Sequence, residues 1–273
     1  MKDQLLVNNT LSAENIKEGL ETRCFGQEIS YLLSADSTNL VAKQLAQDGA
    51  REGTLVITDY QTQGRGRLKR SWWSPPGENL LFSLIFRPPF EVTHTFRLTL
   101  ISSLAVAEAI RQETGLEALI KWPNDIYLKG KKVSGILSEL GVKGEQLQYV
   151  VVGIGINVNS DPSIHPEIRE IATSLSLERG KNFSRRRLLK VILELTERYY
   201  QILKRGDFSS LKKTWDVLSL IKGKKVKVFL KDNFKEGIAE SIDEEGFLIL
   251  RDYSGKRSRI VSADVSLSLV LGN

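Results

Sequence analysis

The sequence is poor in the residues that most often build metal sites and covalent catalytic centres. It contains one cysteine, Cys24, and two histidines, His94 and His165, in 273 residues. A single cysteine cannot form an internal disulfide, and we interpret it as a buried or incidental thiol rather than a nucleophile. Two histidines so far apart in the chain give no support to a zinc site or to a histidine-based triad.

Long hydrophobic runs are also missing. No apolar stretch approaches the roughly 20 residues that a membrane-crossing helix needs, and the amino-terminal MKDQLLVNNT has no secretory hydrophobic core. We therefore expect a cytoplasmic protein. The 41% of hydrophobic residues is ordinary for a globular protein, and the length supports one sizeable core with a small appendage. The net charge of +6 suits anionic partners, although much of it will be solvated surface.

What the sequence does have is a basic loop punctuated by glycine, YQTQGRGRLKRSWWSPP, at residues 60–76. Four basic side chains share it with two glycines and no acid, namely Arg65, Arg67, Lys69 and Arg70 with Gly64 and Gly66. Backbone amides and guanidinium groups can converge there on one anion, which predicts a phosphate-binding lid. The alternative is a solvated basic loop or a nonspecific contact with nucleic acid.

The surroundings of this loop indicate how it is mounted. Trp72 and Trp73 close it and offer stacking surfaces for a flat ligand, although paired tryptophans are more often core. TLVITDYQ before the loop and NLLFSLIF after it have the composition of buried strands. The loop therefore bridges two strands of a rigid sheet, where mobile binding segments are commonly found.

A second polar group lies in IKWPNDIYLKGKKVSGILSEL, residues 120–140. Pro123 cannot continue a helix and favours an extended conformation at the preceding residue, so the segment predicts a strand, a turn and a further strand. The pattern brings two cations beside two oxygen donors, Lys121 and Lys132 with Asn124 and Asp125. A lysine can hold a carboxylate or phosphate, and a carboxylate with an amide oxygen can bind Mg²⁺. The alternative is an ordinary turn with solvated lysines.

The third group is VVVGIGINVN at residues 150–159. It lacks the third glycine of a dinucleotide fingerprint, and no helical pattern follows at once, so we reject a Rossmann interpretation. Glycines in a strand rich in valine and isoleucine allow a ligand to approach the backbone closely, with Asn157 as a polar contact at the end of the strand.

Five segments together resemble the biotin protein ligases in order and approximate spacing: DSTN (36–39), YQTQGRGR (60–67), KWPND (121–125), KVSGIL (132–137) and GIGINVN (153–159). The match spans about residues 30–270, and the combination is specific although no single segment is. The resemblance implies a two-step reaction. Biotin and Mg·ATP give biotinyl-5′-AMP and pyrophosphate, and the biotinyl group then passes to a lysine of a carrier domain, such as the biotin carboxyl carrier protein of acetyl-CoA carboxylase.

The resemblance also implies roles for individual residues. It implies that biotin is bound by Ser37, Thr38, Asn39, Gln61, Arg65, Gly66, Arg67 and Lys132. Three of these residues are also the catalytic candidates, namely Lys132, Arg65 and Arg67. Nucleotide binding falls to Trp72, Lys121, Asn124 and Asn157, and Asp125 is the candidate ligand of Mg²⁺. These residue types suit the reaction. When a carboxylate attacks an α-phosphate, the negative charge of the carboxylate and that of the phosphate must be offset together. LKR after GRGR departs from the family pattern and leaves the role of Arg70 open.

Hydrophobic periodicity predicts three helices. The first begins at Asp36 or Ser37 and stops at Gly49, the second ends at Gly115, and the third covers residues 184–205. Their apolar stripes indicate core rather than cofactor contacts. In the amino-terminal region, LSAENIKEGLET allows one short helix, not the two or three of a DNA-reading module. We therefore expect a monofunctional ligase without specific DNA binding.

After about residue 221 the hydrophobic pattern of the sequence changes. KKVKVFLKDN, KEGIAESID, GFLILRD and KRSRIVSADVSLSL alternate with a period of two, which is typical of a small antiparallel barrel. The resemblance implies an α+β fold, in which a class II synthetase-like mixed sheet with packed helices is joined to an SH3-like barrel. We expect an extension at 1–29, a catalytic domain at 30–221 and the barrel at 222–273.

Two other functions stay open. A lipoate ligase or lipoyl transferase shares the general fold, although GRGR with KWPND and the barrel-like tail argue against it. A nonenzymatic nucleic-acid binder could use the arginine-glycine loop, but the remaining segments would then have no task. The resemblance also suggests a homodimer through an exposed sheet edge, whose position one sequence does not locate.

Overall fold

The chain folds around two β-sheets. The computed structural model describes residues 11–230, 233–261 and 263–267. The larger sheet has seven strands: β1 (Ile29–Leu32), β2 (Leu55–Thr58), β3 (Leu80–Phe86), β4 (Leu119–Lys121), β5 (Asp125–Leu128), β6 (Lys131–Lys143) and β7 (Gln146–Ile156). Their order is β1-β2-β3-β7-β6-β5-β4, and only β1 and β2 pair in parallel. The sheet is thus mixed, as expected.

Helices cover both faces of this sheet. The described helices are α1 (Ala13–Lys17), α2 (Thr38–Gln47), α3 (Phe96–Thr114), α4 (Leu175–Arg179), α5 (Arg185–Lys204) and α6 (Phe208–Leu218). Val56, Ile85 and Val151 pack with α2 on one face, and the alternate residues of the same strands join the main core beneath α3 and α5. Every residue of β3 is buried in consequence.

The predicted helix ends are found within a residue or two. Ser37 is the amino-terminal cap of α2, and Gly115 ends α3 in the left-handed conformation that glycine adopts most easily. Ser184 caps α5, where its side chain accepts a hydrogen bond from the backbone N–H of Arg187. Sequence analysis did not predict α6, although Phe208, Leu211, Trp215 and Leu218 are its buried residues at helical spacing.

The second sheet is antiparallel and lies in the carboxy-terminal segment. Its strands are β8 (Lys225–Phe229), β9 (Phe234–Ile242), β10 (Leu248–Arg251), β11 (Arg257–Ile260) and β12 (Asp264–Leu267), in the order β11-β10-β9-β8-β12. The fourth predicted strand segment therefore divides into β11 and β12. Parts of the predicted extension and barrel, residues 1–10, 231–232, 262 and 268–273, lie outside the described residues.

The small sheet is fixed to the larger one by a polar and aromatic junction. Trp122 donates from Nε1 to the carbonyl oxygen of Gly246 at 3.1 Å. The rings of Phe96 and Phe247 stack with centroids 5.2 Å apart. Arg97 donates to the carbonyl oxygen of Glu244. These contacts decide which surface of the small sheet faces the cleft described below. None of the described helices is both long and apolar enough to cross a bilayer.

Candidate active site

A single cleft brings the three polar groups of the sequence together. The cavity has a volume of about 730 Å³ and lies between the lid, the middle of the larger sheet and the small sheet. All of the predicted site residues line it: Ser37, Thr38, Asn39, Gln61, Arg65, Gly66, Arg67, Trp72, Lys121, Asn124, Asp125, Lys132 and Asn157. The structure thus gathers residues from distant parts of the chain into one pocket, which leaves their individual roles to be assigned.

One end of the cavity is formed by the first turn of α2. Ser37 and Thr38 are buried there, because the helix amino terminus packs against the sheet. Gln61 accepts a hydrogen bond from the backbone N–H of Thr38 at 2.8 Å, and its Oε1 lies 3.1 Å from the Thr38 hydroxyl. These contacts orient the Gln61 amide. Its Nε2 has no hydrogen-bond partner among the residues that the structure describes and is a donor for a ligand.

Asn39 lies behind this turn with its amide fully engaged. Its Nδ2 donates to the carbonyl oxygen of Leu137 at 3.2 Å and to Glu139 Oε2 at 2.8 Å. Its Oδ1 accepts from the hydroxyl of Ser83 at 2.7 Å. With 3% of its surface exposed, Asn39 is a buried connection between α2, β3 and β6.

The glycines of β6 and β7 receive protein side chains. A Cβ atom on Gly153 would lie 2.0 Å from Asn39 Oδ1, and one on Gly155 would lie 2.6 Å from the ring of Trp72. A Cβ on Gly135 would meet both Trp72 and the Lys132 ammonium. The close approach expected at this strand is present, but the groups that make it are Asn39 and the lid tryptophan.

At the centre of the cleft, Lys132 and Asp125 form an ion pair. Lys132 Nζ lies 2.6 Å from Asp125 Oδ1 and 5.5 Å from the centre of the Trp72 ring, and both charged groups are partly buried. The pair is made because β5 and β6 are adjacent antiparallel strands. It places a single ammonium group where an anion can reach it from the cavity.

Lys121 occupies a drier part of the same wall. Burial lowers its pKa below the ordinary value, against the opposing effect of Asp125. Lys121 donates to the Tyr127 hydroxyl at 3.2 Å, and burial together with Asp125 raises the pKa of that tyrosine. Tyr127 also lines the cavity, although sequence analysis did not select it. It holds Lys121 in place at the edge of the site.

The lid is a short hairpin that reaches both sheets. The backbone N–H of Trp72 donates to the Gly64 carbonyl at 2.9 Å, and Arg65 and Ser71 pair as an antiparallel β-bridge between the two arms of the hairpin. Arg67 donates to Asn124 Oδ1 at 3.1 Å, and burial lowers the pKa of its guanidinium. Asn124 in turn donates to the carbonyl oxygen of Ile136 at 2.6 Å. The segment that was predicted as a turn therefore also supports the lid.

The small sheet supplies cavity residues that sequence analysis missed. Phe229, Asp264, Val265 and Ser266 line the cleft. Asp264 forms an ion pair with Arg70, the lid residue whose role was left open. No sequence pattern gives this contact, because it depends on how the two sheets are packed. The basic loop thus has an acidic partner about 190 residues away in the chain.

The far end of the cavity is formed by the segment after β7. Asn157 donates from Nδ2 to the Thr173 carbonyl at 3.0 Å, while its buried Oδ1 has no hydrogen-bond partner within residues 11–230, 233–261 and 263–267. Glu167, Ile168 and Ile171 add an edge that is largely apolar. This end can take a flat, mainly apolar ring with a hydrogen-bond donor directed at Asn157.

Comparison with known proteins shows similarity to two protein families and to several proteins of known function. Residues 31–157 match the Biotin/lipoate A/B protein ligase family, and residues 222–268 match the Biotin protein ligase C terminal domain. The bifunctional ligase/repressor BirA of Bacillus subtilis is 39% identical over 258 residues, which is 94% of this chain and 79% of that protein. The chain belongs to the biotin protein ligase family.

Other members of the biotin protein ligase family agree. The biotin–[acetyl-CoA-carboxylase] ligase of Paracoccus denitrificans is 32% identical over 231 residues, 83% of this chain and 95% of that protein. The structure of the biotin protein ligase from Aquifex aeolicus in complex with biotin and ATP has a TM-score of 0.78 and 32% identity, and covers 89% of this chain and 100% of that one. The predicted family, ligase activity and α+β fold are confirmed, and the nucleic-acid binder is not favoured.

Biotin protein ligases use Mg²⁺ with ATP. The oxygen donors that line the cleft indicate how this protein could hold the Mg²⁺ ion. Within the described residues, no group of three histidine, cysteine, aspartate or glutamate side chains could hold a metal ion. Asp125 is paired with Lys132. One carboxylate beside an amide oxygen fits an ion that arrives on nucleotide phosphates and keeps several waters, not a metal centre built by protein alone.

Proposed function

We propose that this enzyme activates biotin with Mg·ATP to biotinyl-5′-AMP and transfers the biotinyl group to one lysine of a biotin carboxyl carrier protein. The observation that carries the proposal is the cleft itself, in which the residues of all five family-like segments meet. Its two ends differ in character, since one presents hydroxyl and amide groups and the other an apolar edge with a buried amide oxygen. A urea ring suits the first end and an adenine ring the second.

In the first step, a carboxylate oxygen of biotin attacks the α-phosphorus of ATP, and pyrophosphate leaves. We assign the biotin carboxylate to Lys132, whose ammonium would exchange Asp125 for the substrate. Arg65 and Arg67, which line the cavity from the lid, would offset the phosphate charge, and would act more strongly once a closed lid excludes water. Mg²⁺ supplies further charge neutralisation on the phosphates, with Asp125 as its protein-side ligand.

The remaining predicted residues divide between the two rings. Biotin binding is assigned to Ser37, Thr38, Gln61 and Gly66 together with the cations above, and Asn39, whose amide is engaged within the protein, supports this end of the pocket from behind. Nucleotide binding is assigned to Trp72, Lys121, Asn124 and Asn157. In the second step the amine of the carrier lysine attacks the acyl carbon, the amine gives up a proton, and AMP leaves. The lid protects the adenylate from water until this amine arrives.

The proposal includes the setting of the reaction. ATP and biotin carboxyl carrier proteins are available in the cytoplasm, and we place the enzyme there. We propose no sequence-specific DNA target and no membrane partner for the chain, and the mass of the enzyme in solution tests whether it forms a homodimer. The residue boundaries 1–29, 30–221 and 222–273 are likewise a proposal, supported by the start of the second sheet at Lys225.

Mass measurement of a carrier domain tests the function. Incubation with labelled biotin, Mg·ATP and a biotin carboxyl carrier domain should add one biotin to one lysine, and a carrier with arginine at that lysine should gain nothing. Pyrophosphate exchange stimulated by lipoate but not by biotin would instead identify a lipoate ligase. Exchange with neither acid, in a folded protein, would overturn the proposal.

A further inference from the structure

We propose that Glu139 is a positioning residue for the biotin urea ring, which it reaches through a directional chain of hydrogen bonds made by Asn39, Ser83 and Thr38. The inference rests on the proposed function, and it names a residue outside the five family-like segments. Glu139 lies on β6 and does not line the cavity. Its influence must therefore pass through the side chains between it and the ligand.

The chain begins at the carboxylate. Glu139 Oε2 can only accept, so the amide group of Asn39 that lies 2.8 Å away must be its NH₂. The same NH₂ donates to the Leu137 carbonyl at 3.2 Å. The Glu139 carboxylate and the Leu137 carbonyl therefore require the same orientation of the Asn39 amide, in which Asn39 Oδ1 faces Ser83. Gly153 holds this arrangement in place, because it leaves only enough room for the Asn39 oxygen above the strand.

The direction of the next two bonds follows. Asn39 Oδ1 is an acceptor, so the 2.7 Å contact with Ser83 uses the single hydroxyl hydrogen of Ser83. Ser83 Oγ and Thr38 Oγ1 are 2.8 Å apart, and Thr38 Oγ1 also lies 3.1 Å from Gln61 Oε1, which can only accept. Because the Ser83 hydrogen is directed to Asn39, we assign the hydrogen between the two hydroxyl oxygens to Thr38, which shares it with Gln61. The donors therefore run from Thr38 to Ser83, then to Asn39, and end at Glu139.

This direction decides what Thr38 offers to a ligand. Its hydroxyl hydrogen is engaged by Ser83 and Gln61 and its backbone N–H by Gln61, so Thr38 Oγ1 presents a lone pair to the cavity. A lone pair selects a ligand with an N–H group at that point, which a cyclic urea provides. Glu139 thus fixes the hydrogen-bond polarity of the biotin-ring end from outside the cavity.

Lys43 offers a matched control. Lys43 Nζ lies 3.1 Å from Glu139 Oε1, the carboxylate oxygen that Asn39 does not use. Lys43 and Asn39 are one turn apart on α2, so Glu139 also ties the helix to the sheet. If Glu139 acts only as this tie, loss of Lys43 should reproduce loss of Glu139. If it acts through Asn39, loss of Lys43 should have little effect.

The test compares Glu139→Gln with Lys43→Gln in the full-length enzyme. A glutamine at 139 can donate as well as accept, so the variant loses the charged acceptor and leaves the orientation of the Asn39 amide to the Leu137 carbonyl at 3.2 Å. We expect Glu139→Gln to raise KM for biotin about tenfold in pyrophosphate exchange, a factor equivalent to one hydrogen bond to a charged group. KM for ATP and the melting temperature should change little. Lys43→Gln should stay within about twofold of wild type, as for a solvated ion pair.

A ligand comparison separates positioning from general distortion. Desthiobiotin keeps the urea group and lacks the sulfur ring, so Glu139→Gln should weaken both ligands by the same factor in calorimetric titrations without ATP. A changed ratio, a parallel rise in KM for ATP, or equal effects of the two variants would overturn the inference. The proposed function fails separately, if the wild-type enzyme shows no biotin-dependent exchange.

Discussion

Lys132 Nζ lies 2.6 Å from Asp125 Oδ1, so the ammonium group that we assign to the biotin carboxylate is already bound to a carboxylate of the protein. The ion pair holds the lysine side chain at the wall of the cleft. On this assignment, we expect substrate binding to exchange one carboxylate partner for another. Asp125, once released, would then be available to the metal side of the nucleotide, as we propose.

The first prediction concerns Lys132→Ala. Because the lysine neutralises the biotin carboxylate and then the adenylate, its loss removes a charge-assisted contact worth roughly 1.5–3 kcal/mol, and more in the transition state. Biotin-dependent pyrophosphate exchange should fall at least about tenfold. Lys131→Ala is the control, since Lys131 donates to the Arg169 carbonyl and does not line the cavity. Unchanged exchange in a folded Lys132→Ala protein contradicts the assignment.

The second prediction concerns the lid. Arg67 connects it to Asn124, so Arg67→Ser should loosen the cover over the adenylate. We expect the intermediate to form more slowly and to escape faster, and free biotinyl-AMP then acylates exposed lysines of bystander proteins. The measurement is labelling of serum albumin per adenylate formed. Equal labelling by wild type and variant would show that the arginine does not retain the intermediate.

The third prediction concerns the pair formed by Arg70 and Asp264. Either Arg70→Asp or Asp264→Arg should increase the same bystander labelling by a few fold, because an exposed ion pair contributes about 0.2–1 kcal/mol. The double exchange should restore most of the wild-type value. Exchange of Arg51 and Glu28, an exposed pair away from the cavity, should leave labelling unchanged. If the double exchange does not restore the wild-type labelling, the ion pair between Arg70 and Asp264 does not hold the lid against the small sheet.

The fourth prediction concerns alkaline stability. Burial and the hydrogen bond to Asp59 raise the pKa of Tyr31 from 10.0 to about 12. A raised pKa in the folded state stabilises the protein fully below the unfolded pKa, and this stabilisation is lost as pH rises through the folded value. Urea unfolding should therefore show a falling free energy of unfolding between about pH 10 and 12. Tyr31→Phe should reduce this dependence, and an identical pH profile for the variant would argue against it.

The sequence predicted most of the catalytic sheet because its evidence is local. Pro123 and the glycines mark turns, and buried strands such as β3 are apolar throughout. The same segments carry the family-like residues, so placing them on adjacent strands was enough to bring Lys132 beside Asp125. The helix α6 was not predicted, although its buried residues have helical spacing.

The contributions of the small sheet had no such local signal. Asp264 faces the lid because Trp122 and Phe96 fix the orientation of the two sheets, and these contacts join residues more than 100 positions apart. Gly153 shows a different limit. A glycine in a strand predicts a close approach, but only the structure identifies Asn39 as the group that approaches.

The cleft takes side chains from Ser37 to Ser266, so its first and last contributors are separated by almost the whole chain. During synthesis, the lid, Lys132 and the larger sheet leave the ribosome well before β12. A nascent chain can therefore assemble the larger sheet before the cavity is complete. The cavity gains the lining residues of β12 only when that strand has been made, and truncations that remove β12 should leave the larger sheet folded with an open cleft.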